Sequence, residues 1–405
     1  MEAASRDSLV NENSIKTSNE DSSVYFVTGA TGLMGSEFIS EVLESSNSRC
    51  ILLVRADDEN GAEQRLDSLI RYLYPEEVQY QEMRKRVSYV MGDVSLKQLG
   101  MSASDWKLVS ESTHYILHAA ALTDWGASYA DSSSVNINGV KEVLRLAICC
   151  EDRLKKLIHI SSAYVTGSRS GHILPDDLGT VDEACDNYQR SKREGEILVR
   201  EAWKKLPISI VRPGAVVGNS DNGRTIAYKT FYYPLQLLYN GLPLVLPVSK
   251  KGNLEAVPSN WSAKIMNEMM LDDDTNGKCY HLTSGSNSLT NAKLKKIVYK
   301  VFKNLGEKPK TTVYVPYFLY HSVISKIIKK KIPKGNVLDS QIRLYRHYMT
   351  YKRNFDNTDT LKYSDSKNIP LPVFENYLPT LMNFAIDDRW SQKRKDIKKR
   401  KESLR

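Results

Sequence analysis

The sequence predicts an α/β fold, a doubly wound parallel sheet joined to a smaller, mainly helical C-terminal substrate lobe. Three observations predict it. Seven short apolar runs lie between Val24 and Gly285, and they lack the alternation of strands with one wet face. Helical stretches separate them, which calls for parallel pairing through crossover connections. A glycine-rich turn, TGATGLMG, joins the first run to the first helix.

The elements follow in order. VYFVT (24–28) is β-branched and aromatic and stops at Gly29, so it reads as a buried strand, and LMGSEFISEVLES after the turn reads as an amphipathic helix. CILLVR (50–55), VSYVMGDV (87–94) and THYILHAAA (113–121) read as further strand-to-turn units, with helices over roughly 61–73, 104–111 and 135–150. LKKLIHISS (154–162), PISIVRPG (207–214) and KCYHLTSG (278–285) supply the remaining strands. Past Pro309 the texture changes to tyrosine and lysine with weaker alternation. Residues 24–229 with 279–308 are therefore expected to form the sheet domain, and 230–278 with 309–390 the lobe. Residues 1–23 read as a disordered tail without an apolar signal core, and 391–405 as a solvated basic tail.

Composition fits a globular chain: 405 residues, 41% hydrophobic and 26% charged. No apolar run is long enough to cross a bilayer. Five cysteines without CxxC or zinc spacing fit a reducing cytosol, and no metal cluster is expected. The net charge of +9 is uneven. Lys326–Lys334 carries +5 and Lys393–Arg405 carries +6, which leaves the rest of the chain at −2. Nucleic-acid binding across the fold is therefore not expected.

The glycine turn points to a dinucleotide. Gly29 permits the tight turn, Gly32 lets backbone approach a pyrophosphate, and Gly35 lets the helix pack close, with its N-terminus facing the phosphate charge. This strand–turn–helix context is the one a Rossmann fold uses. An acidic residue at the end of the second strand would bind the ribose hydroxyls of NAD. Here that strand ends in Arg55, with Arg65 one loop on, so NADPH is expected, although two surface arginines would look the same. Asp93, in the GDV turn, is placed to accept from the adenine amino group.

Tyr188 and Lys192 lie four apart on a helical segment, which sets them on one face. A phenol with an ordinary pKa of about 10 exchanges protons poorly at neutral pH unless a cation favours its phenolate, which Lys192 would supply. Ser162, at a strand end, can donate to a carbonyl oxygen as charge builds there. Ser161 is expected to make a strand-end hydrogen bond. Asn136, in VNINGV, either relays a proton through water or serves as a cap or turn residue.

Together TGATGLMG, HAAA (118–121), VNINGV, ISSAYVTG, YQRSK and VRPGAVVG resemble the extended short-chain dehydrogenase/reductase superfamily over about 24–285. The resemblance implies a catalytic triad of Ser162, Tyr188 and Lys192, completed by Asn136, and places Arg212, Pro213 and Gly214 in the loop near the nicotinamide. It implies a cofactor set of Gly29, Thr31, Gly32, Leu33, Met34, Gly35, Arg55, Arg65, Asp93, Val94, Ala119, Ala120, Tyr188, Lys192, Pro213 and Gly214. The stretches LLVRADDENGAEQRL, MGDVSLKQLGMSASDW through HAAALTDW, and SKREGEILVREA are similar to thioester reductase domains and fatty acyl reductases of the male-sterility type. The segment from YKRNFDNTDTLKY through LPVFENYLPTLMNFAIDDRW is similar to the C-terminal part of free-standing acyl reductases.

This likeness implies NADPH-dependent reduction of an acyl thioester, on coenzyme A or a carrier protein, to an aldehyde and optionally on to the alcohol. Asp124 and Trp125 would then line the pocket mouth or simply shape the loop, and Ala163 and Tyr164 would flank the substrate. Ser259-Asn260-Trp261 departs from the Asp-Tyr/Phe-Val run usual in the superfamily. With no adenylation or carrier domain among these residues, the acyl donor is expected from another molecule. A nucleotide-sugar or hydroxysteroid oxidoreductase or epimerase is the enzyme alternative, and a cofactor-binding regulatory protein the non-enzyme one. The basic patches, including VPYFLYHSVISKIIKKKIPKG (315–335), suit an acidic carrier or peripheral contact with a membrane by a cytoplasmic protein, and equally a core helix with a solvated lysine end.

Overall fold

The computed structural model describes residues 22–228, 231–241, 244–331 and 335–390. The central sheet has seven strands: β1 (Val24–Thr28), β2 (Arg49–Val54), β3 (Val87–Met91), β4 (Tyr115–His118), β5 (Lys156–Ile160), β6 (Ile208–Pro213) and β7 (Cys279–Leu282). Their order is β3-β2-β1-β4-β5-β6-β7, and every pairing is parallel. The order reverses between β1 and β4, the switch point at which such sheets open a crevice beyond their C-terminal ends.

Period-two alternation divides each strand between two apolar layers. Tyr25 and Val27 of β1 pack with α1 (Leu33–Ser45) on one face, while Phe26 packs with α2 (Gly139–Cys149) on the other. With both faces covered, no strand needs a polar side, and the strands read as continuous apolar runs.

The helix α3 (Asn187–Ala202) follows β5 and precedes β6. A further helix, α4 (Ser259–Met270), lies in the stretch whose sequence suggested the lobe. Its Trp261, Ile265, Met266 and Met269 enter the same apolar layer as α1 and β1, so this helix covers the sheet. The reverse holds for Asn291–Asn304, expected beside the sheet. Its Val298, Val301 and Phe302 pack with Tyr232 and Leu378 of the lobe. In both cases an apolar helical stripe is visible in the sequence, but not which layer it faces.

The lobe is built on Tyr232–Tyr239, α5 (Gly335–Met349) and Phe374–Asp387, laced by short strand pairs such as Ala215–Val217 with Ala256–Pro258. Residues 1–21 of the expected N-terminal tail, Lys334 and the basic tail 391–405 lie outside the described residues. Of the described lysines in the cluster, Lys329 pairs with Asp339 at 3.2 Å. Among the described residues no helix is long and apolar enough to cross a membrane, and no group of His, Cys, Asp and Glu is placed to hold a metal ion.

The burial of α4 is directly testable. Trp261 is 2% exposed, and its indole N–H donates to the Ile369 carbonyl at 3.1 Å. Trp261→Ala should cost about 3–5 kcal/mol in urea unfolding. An unchanged midpoint would contradict the docking of α4 on the sheet.

Candidate active site

The ends of β1, β2, β4, β5 and β6 meet the lobe around one cleft of about 740 Å³. Its floor is the glycine turn. Gly29 has φ +73°, and a Cβ there would lie 2.5 Å from the Ala120 amide nitrogen. A Cβ on Gly35 would lie 2.3 Å from the Gly29 carbonyl oxygen, so α1 meets the turn backbone to backbone. No side chain caps α1 at Gly32, which leaves its first amides to face an anion. A glycine-only cradle ending on an uncapped helix start, with arginines nearby, fits a dinucleotide pyrophosphate.

Thr31, Leu33, Met34, Ala119 and Ala120 line the same end, as do Val94 and Asp93. Arg55 and Arg65 line it too, and Arg55 is 75% exposed with Asp93 as an ion-pair partner at 3.6 Å. An exposed pair of that length holds the guanidinium only weakly, so Arg55 can turn to a phosphate. Burial works against ionisation of Asp93, but Ser95 and Arg55 hold its carboxyl below the usual carboxylate range.

Ser162 lies two residues past β5, and its Oγ accepts from the Tyr164 amide at 3.2 Å. Tyr188 sits in the first turn of α3, whose N-cap Asp186 accepts from the Gln189 amide at 2.8 Å. Tyr188 and Ser162 line the cleft together. Burial pushes the Tyr188 phenol up to about 12; the nearby Ser162 hydroxyl opposes that shift and Asp186 adds to it. The expected lowering by Lys192 is therefore not what this geometry delivers. The Lys192 ammonium donates to the Ile160 carbonyl at 2.7 Å, and burial brings its pKa down to about 8, with Glu196 opposing. The Tyr188 phenol thus stays protonated at neutral pH.

Tyr188, Lys192, Ser162, Pro213, Gly214, Trp125 and Tyr164 all line the cleft. Asn136, Asp124 and Ala163 stand off it. Asn136 accepts from the Leu122 amide at 2.9 Å and donates to Ser191 Oγ at 2.9 Å, bracing the loop after β4 against α3. Asp124 turns back on the Gly126 amide at 2.9 Å, and Ala163 is fully buried in an aromatic cluster. Arg212 also departs from the resemblance. Its guanidinium donates to Glu196 at 2.7 and 2.9 Å within the core, so only Pro213 and Gly214 of that loop reach the cleft. Ser161 makes the expected strand-end hydrogen bond, donating to Glu196 at 2.5 Å. His118 is buried: its Nδ1 lies 2.7 Å from Thr28 Oγ1, and burial pushes the ring down to about 3.

The lobe adds residues that sequence reasoning missed, including Leu235, Leu254, Leu294, Tyr345, Tyr348 and Met349. The tyrosine-rich texture past Pro309 was the one available signal for Tyr345 and Tyr348. It does not say which rings face inward.

A family model described as male sterility protein, an NAD-binding family, matches residues 27–266. The chain belongs to this family. A Schizosaccharomyces pombe protein named L-2-aminoadipate reductase is 27% identical over 277 residues, covering 64% of this chain and 19% of that protein. A Drosophila melanogaster protein provisionally named as a fatty acyl-CoA reductase is 25% identical over 284 residues, 62% of this chain and 53% of its own length. The match thus spans about a fifth to about half of these relatives. In structure, the terminal R domain from the myxalamid PKS-NRPS biosynthetic pathway superposes with a TM-score of 0.77 at 22% identity, covering 92% of both chains. That likeness shows a shared α/β fold.

The bracing role of Asn136 has a readout of its own. Asn136→Ala leaves the Leu122 amide and Ser191 without their partner and should destabilise the chain by about 1–3 kcal/mol. Hydrogen exchange at Leu122 should quicken, and unchanged exchange would remove the brace.

Proposed function

We propose that the protein reduces an acyl thioester to an aldehyde with NADPH. The observation that carries this reading is that Ser162 and Tyr188 line the same cleft, whose lobe side is apolar. Both hydroxyls can meet a carbonyl oxygen, and Tyr188 has the proton to give it. NADPH, when bound, supplies the hydride. The glycine turn and the start of α1 would hold its pyrophosphate, Arg55 and Arg65 its 2′-phosphate, and Lys192 the nicotinamide ribose.

Ser162 and Tyr188 would stabilise the oxyanion formed as the carbonyl carbon is reduced, and Tyr188 would protonate it. Loss of thiol from the resulting hemithioacetal gives the aldehyde. The names of the S. pombe and Drosophila relatives support a carboxyl-level substrate. The apolar lobe residues Leu235, Leu254, Leu294 and Met349 would leave the hydroxyls of a nucleotide sugar unpaired. The acyl donor would be coenzyme A or a carrier protein. Lys326, Lys330 and Lys331 on Ser325–Lys331 give an acidic carrier, or a membrane surface, a complementary face.

The test is NADPH oxidation over acyl-CoA, carrier-bound thioester and nucleotide-sugar panels. Thioesters should be turned over, and Tyr188→Phe should lower kcat by about 10²–10⁴-fold. Arg55→Asp should erode the preference for NADPH over NADH. No thioester-dependent oxidation, or an indifferent Tyr188→Phe, would sink the reading; an unchanged cofactor ratio would remove Arg55 from the phosphate site.

A further inference from the structure

One side chain of the lobe touches three segments that surround the reactive groups. Tyr348, near the end of α5, is 3% exposed and lines the cleft. Its ring stacks on Trp125, in the loop after β4, at 3.8 Å and 13°. It meets Tyr164, two residues past Ser162, edge-on at 4.8 Å and 78°. Its hydroxyl donates to Asp186 Oδ2 at 2.7 Å.

Asp186 is the N-cap of α3, two residues before Tyr188, and its other oxygen holds the Gln189 amide. One half-buried carboxylate therefore ties the lobe to the turn that carries the proton donor. A hydrogen bond to a charged acceptor is among the stronger ones, and it fixes direction as well as distance. The two ring contacts hold Tyr348 so that its hydroxyl has little freedom to reach elsewhere.

We propose that Tyr348 is the positioning residue for Tyr188, acting through Asp186 to set the first turn of α3 whenever the lobe is packed against the strand ends. The lobe then does more than wall the substrate pocket, because its docking completes the geometry of the proton donor. This rests on the reductase reading for its kinetic consequence, but the Tyr348–Asp186 coupling itself does not.

Tyr348→Phe keeps both ring contacts and removes only the hydroxyl. In the full chain, its kcat for the thioester should fall about tenfold, as expected for a small misplacement of a reacting group, while KM for NADPH stays within about twofold. Asp186→Ala should lower kcat likewise, and the double variant should be no worse than Asp186→Ala alone, since both act through one bond. Hydrogen exchange at the Tyr188 and Gln189 amides should quicken in Tyr348→Phe without cofactor or substrate. Unchanged exchange, additive kcat losses, or a loss that only tracks a lower melting temperature would each overturn the proposal. If the wild type turns over no thioester, the reductase reading falls, and the exchange result alone decides the coupling.

Discussion

The placement of α3 is the constraint on which the rest of the site depends. This helix carries Tyr188 and Lys192, and its far half is locked into the core by the Glu196–Arg212 pair, both side chains fully buried. Burial opposes ionisation of Glu196, yet Arg212, Arg200 and Ser161 hold its carboxyl below the usual range. Breaking such a pair leaves an uncompensated buried charge, at a cost of about 3–5 kcal/mol. One residue back, a Cβ on Gly195 would lie 2.3 Å from the Asn136 carbonyl oxygen, so α3 and the π-helical stretch Ser134–Asn138 meet backbone to backbone. With Lys192 bonded to Ile160 and Asp186 to Tyr348, the helix is fixed to β5, β6 and the lobe along its length.

Burial then sets the chemistry. The same desolvation that raises the Tyr188 phenol lowers the Lys192 ammonium and keeps His118 neutral. The Tyr188 phenol is therefore neutral at neutral pH. The exposed Arg55 at the other end of the cleft contrasts with this buried centre.

What was legible in the sequence was local. The glycine turn, the four-residue spacing of Tyr188 and Lys192, and Arg55 at a strand end all depend on residues close along the chain, and the cleft gathers them. What escaped depends on distant partners. Tyr348 reaches Asp186 across 162 positions, and no periodicity announces that. Arg212 lies beside Pro213 in the sequence, yet strand alternation turns its side chain to α3 and away from the cleft. Asn136 presented a polar side chain in a plausible place, but Leu122 and Ser191 claim it. The stripe of α4 was readable, whereas the choice between sheet and lobe was made by the shape of α1 and the core around it.

The central claim is that the Ser162–Tyr188 pair drives reduction of a thioester carbonyl. The most direct measurement follows free thiol and NADPH together in one reaction, in wild type and Tyr188→Phe. The account predicts that thiol appears only with NADPH present, with at least one NADPH consumed per thiol, and that both signals collapse together in the variant. Thiol released without NADPH, or NADPH consumed without thiol, would contradict it.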